Sequence, residues 1–357
     1  MRRVFTSNGD SRWRTDKMLR FQINIRWLLP ITVLLASCSD PPSATPGRTW
    51  QVLAENLSGG VVMGATNDSD GSVLAVGGQA DLGALWRISG SQVTPIEVPK
   101  GMLLTWASRA ADGTVLVVGS GKRAMLRDAS GNWTTEVLPA GDELWGCENL
   151  GNGKAFAVGG VIDIAQQAKP ALLERTPGGW AQVPLPGLSK PDVRLFKIAA
   201  QSASDIVVVG DEGLALHFDG SKWREEPSST GLNLTTVRAL PGGRYVAVGG
   251  LGSGVIVERS ASGKWTTLGQ AETGLSGFDH FAANGVAGAS IWACGFGGWL
   301  ESDGLSPFQS APLGTPLTQD SLHFVLRLPS GDALAGGGNL AAWPKTMHGV
   351  LLRWTAK

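Results

Sequence analysis

The chain has 357 residues, 43% of them hydrophobic, with 30 basic and 30 acidic side chains that cancel to a net charge of zero. A neutral chain without a dense Lys/Arg run in its body lacks the electrostatic footprint of a nucleic-acid binder, so no nucleic-acid partner is expected. Charged residues make up 17%, below the roughly 25% of an average globular domain, while 50 glycines and 14 tryptophans against one tyrosine point to a β protein with many turns and a repeated use of Trp.

In chain order, Arg20 and Arg26 precede the apolar run 27–36 (WLLPITVLLA). The run has the length of a signal-peptide core and is too short to span a bilayer. It ends in Leu35-Ala36-Ser37-Cys38, which resembles the bacterial lipobox. The resemblance implies removal of residues 1–37 as a lipoprotein signal peptide, with Met18 as a possible true start, and lipidation of Cys38 as the mature N-terminus. An ordinary secretory signal with an incidental Cys is the other reading. Residues 38–47 are polar and Pro-rich, a tether between membrane and domain. Arg2 and Arg3 lie too far from the apolar run to serve as a twin-arginine signal. The expected location is the bacterial cell envelope, lipid-anchored, and the absence of Asp directly after Cys38 favours the outer membrane, on its periplasmic or surface face. Cys147 and Cys294 are expected to be buried free thiols.

Residues 48–357 carry a repeat. An apolar strand ending in glycine recurs seven times, at VLAVGG (73–78), VLVVGS (115–120), AFAVGG (155–160), IVVVGD (206–211), YVAVGG (245–250), IWACGF (291–296) and ALAGGG (333–338). The reference glycines are 77, 119, 159, 210, 249, 295 and 337, a period of about 43 residues, which is that of a four-stranded propeller blade. In four repeats a second strand and a turn lead to a tryptophan, at Trp133, Trp180, Trp223 and Trp265, with Val93 and Phe308 at the same place in two others. The last repeat stops at GVLLRW (349–354), and its missing outer strand matches the TPGRTW segment that ends at Trp50. The expectation is an all-β, seven-bladed β-propeller with four-stranded blades, closed by the N-terminal strand of the mature chain pairing in the last blade and leaving no free sheet edge.

The apolar-Gly-Gly strands followed by a turn and Trp resemble Kelch repeats, and the turns before Trp133 and Trp265 also look like the Asp-box (BNR) repeats of sialidase-like propellers. The double Gly is missing from three repeats and no complete Asp-box occurs. A sialidase-like activity would need a tyrosine nucleophile, and the single tyrosine, Tyr245, lies in the apolar YVAVGG strand.

Recurrence of Trp at one blade position predicts packing between blades, and the glycines are read as turn residues. No phosphate-binding Gly-rich loop, zinc motif or hydrolase nucleophile elbow occurs, so neither a cofactor nor a metal is expected. His280 and His323 fall on innermost strands of neighbouring blades, beside Asp279 and Asp320, as channel candidates. The segments that exceed the repeat, 161–170 and 339–349, should emerge from one face. The second carries Trp343, Lys345, Met347 and His348, a set suited to an interface anchor or else a tolerated surface insertion. The functional expectation is a monomeric, non-enzymatic envelope lipoprotein binding a protein or glycan partner through one loop face. The alternative is an extracytoplasmic glycan- or peptide-acting hydrolase or lyase with a channel-mouth site.

Overall fold

The computed structural model describes residues 50–79, 82–162, 168–282, 289–295, 299–302, 309–310, 321–339 and 347–355, and for 162, 280–282, 289–292, 299–302 and 309–310 the backbone only. Cys38 with its leader and tether, Asp320, Trp343 and Lys345 lie outside the described residues.

Strand β1 is Trp50–Leu57. The following strands come in fours: β2 Val61–Asn67, β3 Val73–Gln79, β4 Leu82–Ser89 and β5 Gln92–Ile96; then β6 Leu104–Arg109, β7 Val115–Gly119, β8 Arg123–Arg127 and β9 Trp133–Val137; then β10 Leu144–Gly151, β11 Lys154–Ile162, β12 Ala168–Thr176 and β13 Gly179–Gln182. Next are β14 Leu195–Ser202, β15 Asp205–Gly210, β16 Ala215–Phe218 and β17 Trp223–Glu225; then β18 Leu234–Leu240, β19 Arg244–Gly249, β20 Gly254–Arg259 and β21 Trp265–Ala271. The chain continues with β22 Leu275–Ala282, β23 Ala289–Gly295, β24 Trp299–Ser302 and β25 Gln309–Ser310, and finishes with β26 Ser321–Arg327, β27 Ala333–Gly338 and β28 Gly349–Trp354.

Six sheets are each four consecutive antiparallel strands, and one further sheet, ordered β1-β28-β27-β26, joins the two ends of the described chain. In it Trp50 pairs with Trp354 and Val52 with Leu352. The innermost strands β2, β6, β10, β14, β18, β22 and β26 pack each on the next, and β26 packs on β2. The expectation of seven full four-stranded blades is corrected at the β22–β25 sheet, whose outer strand is reduced to two described residues, Gln309 and Ser310. Pro307 and Pro312 flank it, and proline removes the N–H donor that a longer ladder needs.

Buried aliphatic side chains from facing sheets form the core. Leu74, Val76 and Leu85 of one sheet meet Met102, Leu104, Val115 and Val117 of the next in one buried cluster. The tryptophan wedges work between sheets, as expected. Trp180 Nε1 donates to Glu136 of the preceding sheet at 2.6 Å, and Trp265 Nε1 to Glu226 at 2.9 Å. Arg175 and Arg259, paired in register with those tryptophans, grip the same two carboxylates with two nitrogens each. Tyr245 is fully buried and donates its hydroxyl to the Asp205 carbonyl at 2.8 Å, and Cys147 and Cys294 are buried free thiols.

The repeat glycines have a different cause from the one expected. They lie inside strands, and none of the seven adopts positive φ. A Cβ on Gly77, Gly119, Gly159, Gly210, Gly249, Gly295 or Gly337 would stand 1.7–2.1 Å from a main-chain carbonyl oxygen at or just before the start of the innermost strand. Close backbone approach, rather than turn geometry, requires the missing side chain.

Candidate functional site

A register shift of one residue recurs opposite those glycines. Pairing between the first two strands slips between Val62 and Gly64, Leu104 and Trp106, Leu144 and Gly146, Leu195 and Lys197, Leu234 and Thr236, Leu275 and Gly277, and Leu322 and Phe324. Each slip is a β-bulge, which kinks the strand and re-aims the side chains that follow. Hydroxyls at the bulges tie neighbouring blades together: Thr105 donates to the Leu144 carbonyl, Thr235 to that of Leu275 at 2.8 Å, and Ser276 to that of Leu322 at 2.7 Å. The bulges therefore lie at one height, near the end of the channel where the innermost strands begin. In register, the connections β3–β4, β7–β8, β15–β16, β19–β20 and β27–β28 emerge at the same end.

Just beyond the bulges, side chains from several blades converge on Trp106. Its ring lies against Gly64 of β2, where an added Cβ would stand 2.5 Å from Cε3. Lys197 of β14 places Nζ 4.1 Å from a Trp106 ring centroid, and Arg238 of β18 places Cζ 5.3 Å from one. Since β6, β14 and β18 belong to three different sheets, Trp106 reaches across the channel to meet cations from the far side, with only 5% of its surface exposed. Both cations are held by main-chain carbonyls of a neighbouring blade. Lys197 Nζ donates to the Trp145 carbonyl, and Arg238 Nε to that of Phe278 at 3.3 Å.

Glu148 of β10 and His323 of β26 complete the cluster. Glu148 feels the field of Arg238, yet makes no hydrogen bond or ion pair with the described residues, and His323 feels the charge of Lys197 while its Nε2 sits 3.2 Å from Ser321 Oγ. Burial pushes the Glu148 carboxyl up to about 7, with Arg238 opposing. Burial pushes the Lys197 ammonium down to about 7, against a smaller upward pull from Cys147 and with help from Arg238. Burial, helped by Lys197, pushes His323 down to about 4, so its imidazole is neutral at neutral pH. Glu148, Lys197 and Arg238 are enclosed by protein yet keep some solvent contact, the condition of groups lining a narrow lumen.

The channel candidates named from sequence are only partly brought together. His323 is buried, with 7% exposure, at the bulge of β26. His280 lies five residues beyond Leu275, four positions deeper along its strand than His323 on β26, which is about 13 Å at the usual strand rise. The two do not share a level. Asp279 accepts a hydrogen bond from the Arg327 backbone at 2.8 Å and so joins β22 to β26. Among the described residues no group of His, Cys, Asp and Glu has metal-holding geometry. In the long loop, Met347 is 5% exposed and packed inward, and the His348 backbone N–H donates to Asn339 Oδ1 at 2.7 Å. Trp106, Glu148, Lys197 and Arg238 were not singled out from sequence. The available signal was alignment of the innermost strands on their first leucine, which puts Trp106 and Lys197 at one repeat position and Glu148, Arg238 and Asp279 at another.

No protein-family model and no curated protein matches the chain. Among solved structures it is similar to YCF48 bound to a D1 peptide, with 15% identity, a TM-score of 0.63, and 88% of this chain covering 99% of that one. It is also similar to a streptogramin B lyase, at 15% identity and a TM-score of 0.64 over 85% of this chain and 97% of that one. A catalytically inactive virginiamycin B lyase from Staphylococcus aureus with quinupristin is similar at 13% identity and a TM-score of 0.62 over 86% and 100%. These likenesses, together with the ring of antiparallel sheets, make the chain a β-propeller protein.

Proposed function

We propose that the chain is a non-enzymatic, lipid-anchored protein of the bacterial cell envelope whose propeller binds a protein partner at the channel mouth nearest Trp106. The observation that carries this reading is the placement of exposed apolar side chains. Four of the six large apolar side chains exposed among the described residues, Leu82 (51% exposed), Val137 (80%), Leu232 (37%) and Leu251 (77%), belong to strand ends or connections at the end where the innermost strands begin, while Val52 and Leu268 lie within outermost strands. Large apolar side chains left in water at one end of a ring, around an aromatic residue and cations, form the kind of surface that a partner covers. The peptide bound to YCF48 supports a protein partner. The cluster suits recognition, because main-chain carbonyls hold its cations in fixed positions. A second, catalytic reading is favoured by one observation, the Glu148 carboxyl held near 7 and therefore able to move a proton at neutral pH.

Two measurements test the proposal. A lipid label fed to growing cells is expected in the wild-type protein and to be lost in Cys38→Ala; equal labelling of both removes the anchor. A photo-crosslinker at position 251 in intact cells is expected to capture one partner, with at least a tenfold loss of capture in Val137→Glu/Leu82→Glu, a change that disrupts an apolar contact without touching the core. Undiminished capture in that variant contradicts binding at this face.

A further inference from the structure

We propose that Trp106, Lys197 and Arg238 form a carboxylate-binding site inside the channel. This deepens the reading of that mouth as the binding face and rests on it. Arg238 commits only Nε, to the Phe278 carbonyl, and its two Nη nitrogens have no acceptor among the described residues. Lys197 commits one N–H to the Trp145 carbonyl. A guanidinium fork with both terminal nitrogens open matches a carboxylate in two parallel hydrogen bonds, and a lysine beside it adds a point charge. Neither cation has a carboxylate within ion-pair distance among the described residues, although most of the other arginine side chains in the rim and the turns do. Two like charges on one aromatic ring repel each other, and an anion between them relieves that repulsion while the Trp106 ring supplies an apolar wall for the body that carries the carboxylate.

The charged and titratable groups around Lys197 are Cys147 on β10, Arg238 on β18 and His323 on β26, and Glu148 on β10 feels Arg238. Cys147 stays a neutral thiol, because burial raises it well above its usual range, and His323 stays neutral above pH 5. Lowering the pH from 8 to 6 therefore does two things in one direction. It charges Lys197 and it discharges Glu148, both of which titrate at about 7. Anion binding tightens as the pH falls, while the carboxylate of the ligand, with its ordinary value near 4, stays ionised.

The carboxylate can come from a small organic acid or from the end of a polypeptide, and the two sources are separable. Calorimetric titration of the full-length protein uses benzoate, benzamide, and one short peptide with a free and with an amidated C-terminus. The expected result is saturable binding of benzoate or the free-acid peptide, roughly tenfold or more weaker for the matching amide, and tighter at pH 6 than at pH 8. Benzoate alone binding identifies a small-acid site, and the peptide alone a chain terminus. In Arg238→Gln and Lys197→Met, checked for wild-type thermal unfolding, the preference for acid over amide is expected to vanish. Equal binding of acid and amide, no binding of any probe, or a preference unchanged in folded Arg238→Gln overturns the site. Partner capture from position 251 reports separately on the propeller's function, so capture without carboxylate binding rejects this site and leaves the docking face standing.

Discussion

Replacing Arg127 by alanine is expected to destabilise the propeller by about 3–5 kcal/mol, the usual effect of stranding one member of a buried ion pair. Arg127 on β8 reaches Asp68, in the β2–β3 turn of the preceding sheet, through Nη1 at 2.5 Å and Nη2 at 2.6 Å. The side chains are 7% and 2% exposed, so water cannot replace the lost partner. Urea unfolding measures the effect, with Arg224→Ala as the contrast. That arginine pairs with Asp219 at 50% exposure, and its loss is expected to cost less than about 1 kcal/mol. The pH dependence has a definite sign. The hydrogen bonds from Arg127 outweigh burial and hold the Asp68 carboxyl at about 2, below its unfolded value of about 3.9. Its stabilisation is complete above about pH 5 and is lost as the pH falls from there through about 2. Arg127→Ala flattens that acid limb of the stability profile.

Replacing Trp50 by alanine is expected to cost about 3–5 kcal/mol, the range for truncating a buried tryptophan, and to damage solubility as well. Trp50 is 4% exposed and shares a buried cluster with Leu322, Ala335, Val350 and Leu352. It is also the first residue of the strand that joins the beginning of the propeller to its end. When β1 detaches, β28 becomes an open sheet edge, a template for pairing with other chains. Trp133→Ala, at a half-buried wedge between two sheets continuous in sequence, should cost clearly less and leave solubility unchanged. Chemical unfolding and light scattering of both variants separate the two effects, and equal losses would mean that the β1–β28 seam carries no special load.

These predictions draw on features of unequal visibility in the sequence. The glycine period and the Trp wedges were legible because each repeats and each demands a residue type: a missing Cβ where a carbonyl approaches, or a large amphipathic ring between sheets; the split last sheet was legible because the last repeat lacks an outer strand that the segment ending at Trp50 matches. The bulges were not legible. The residues that occupy them include Met63, Trp145, Phe196 and His323 beside the hydroxyls of Thr105, Thr235 and Ser276, so no one residue type marks them, since a bulge is a backbone event. The cluster at Trp106 was hidden for a similar reason. Each blade contributes a single group of a different kind, so the positions recur along the chain and the residue types do not. His280 and His323 looked like a pair because they sit in adjacent repeats, but His280 lies four positions farther along its strand than His323, which puts them at different depths. The segment carrying Trp343 and Lys345 lies outside the described residues, and Met347 beside it is a core residue.

Lys197 and Arg238 meet on the Trp106 ring, poised to accept a negative charge. Nitrogen NMR of the protein labelled at its lysine side chains tests this without a ligand. One resonance, absent from Lys197→Met, is predicted to titrate at about 7, while surface lysines titrate near 10.4. A Lys197 signal that titrates with the others near 10.4 would place its ammonium in open water, away from Arg238, and would contradict the account.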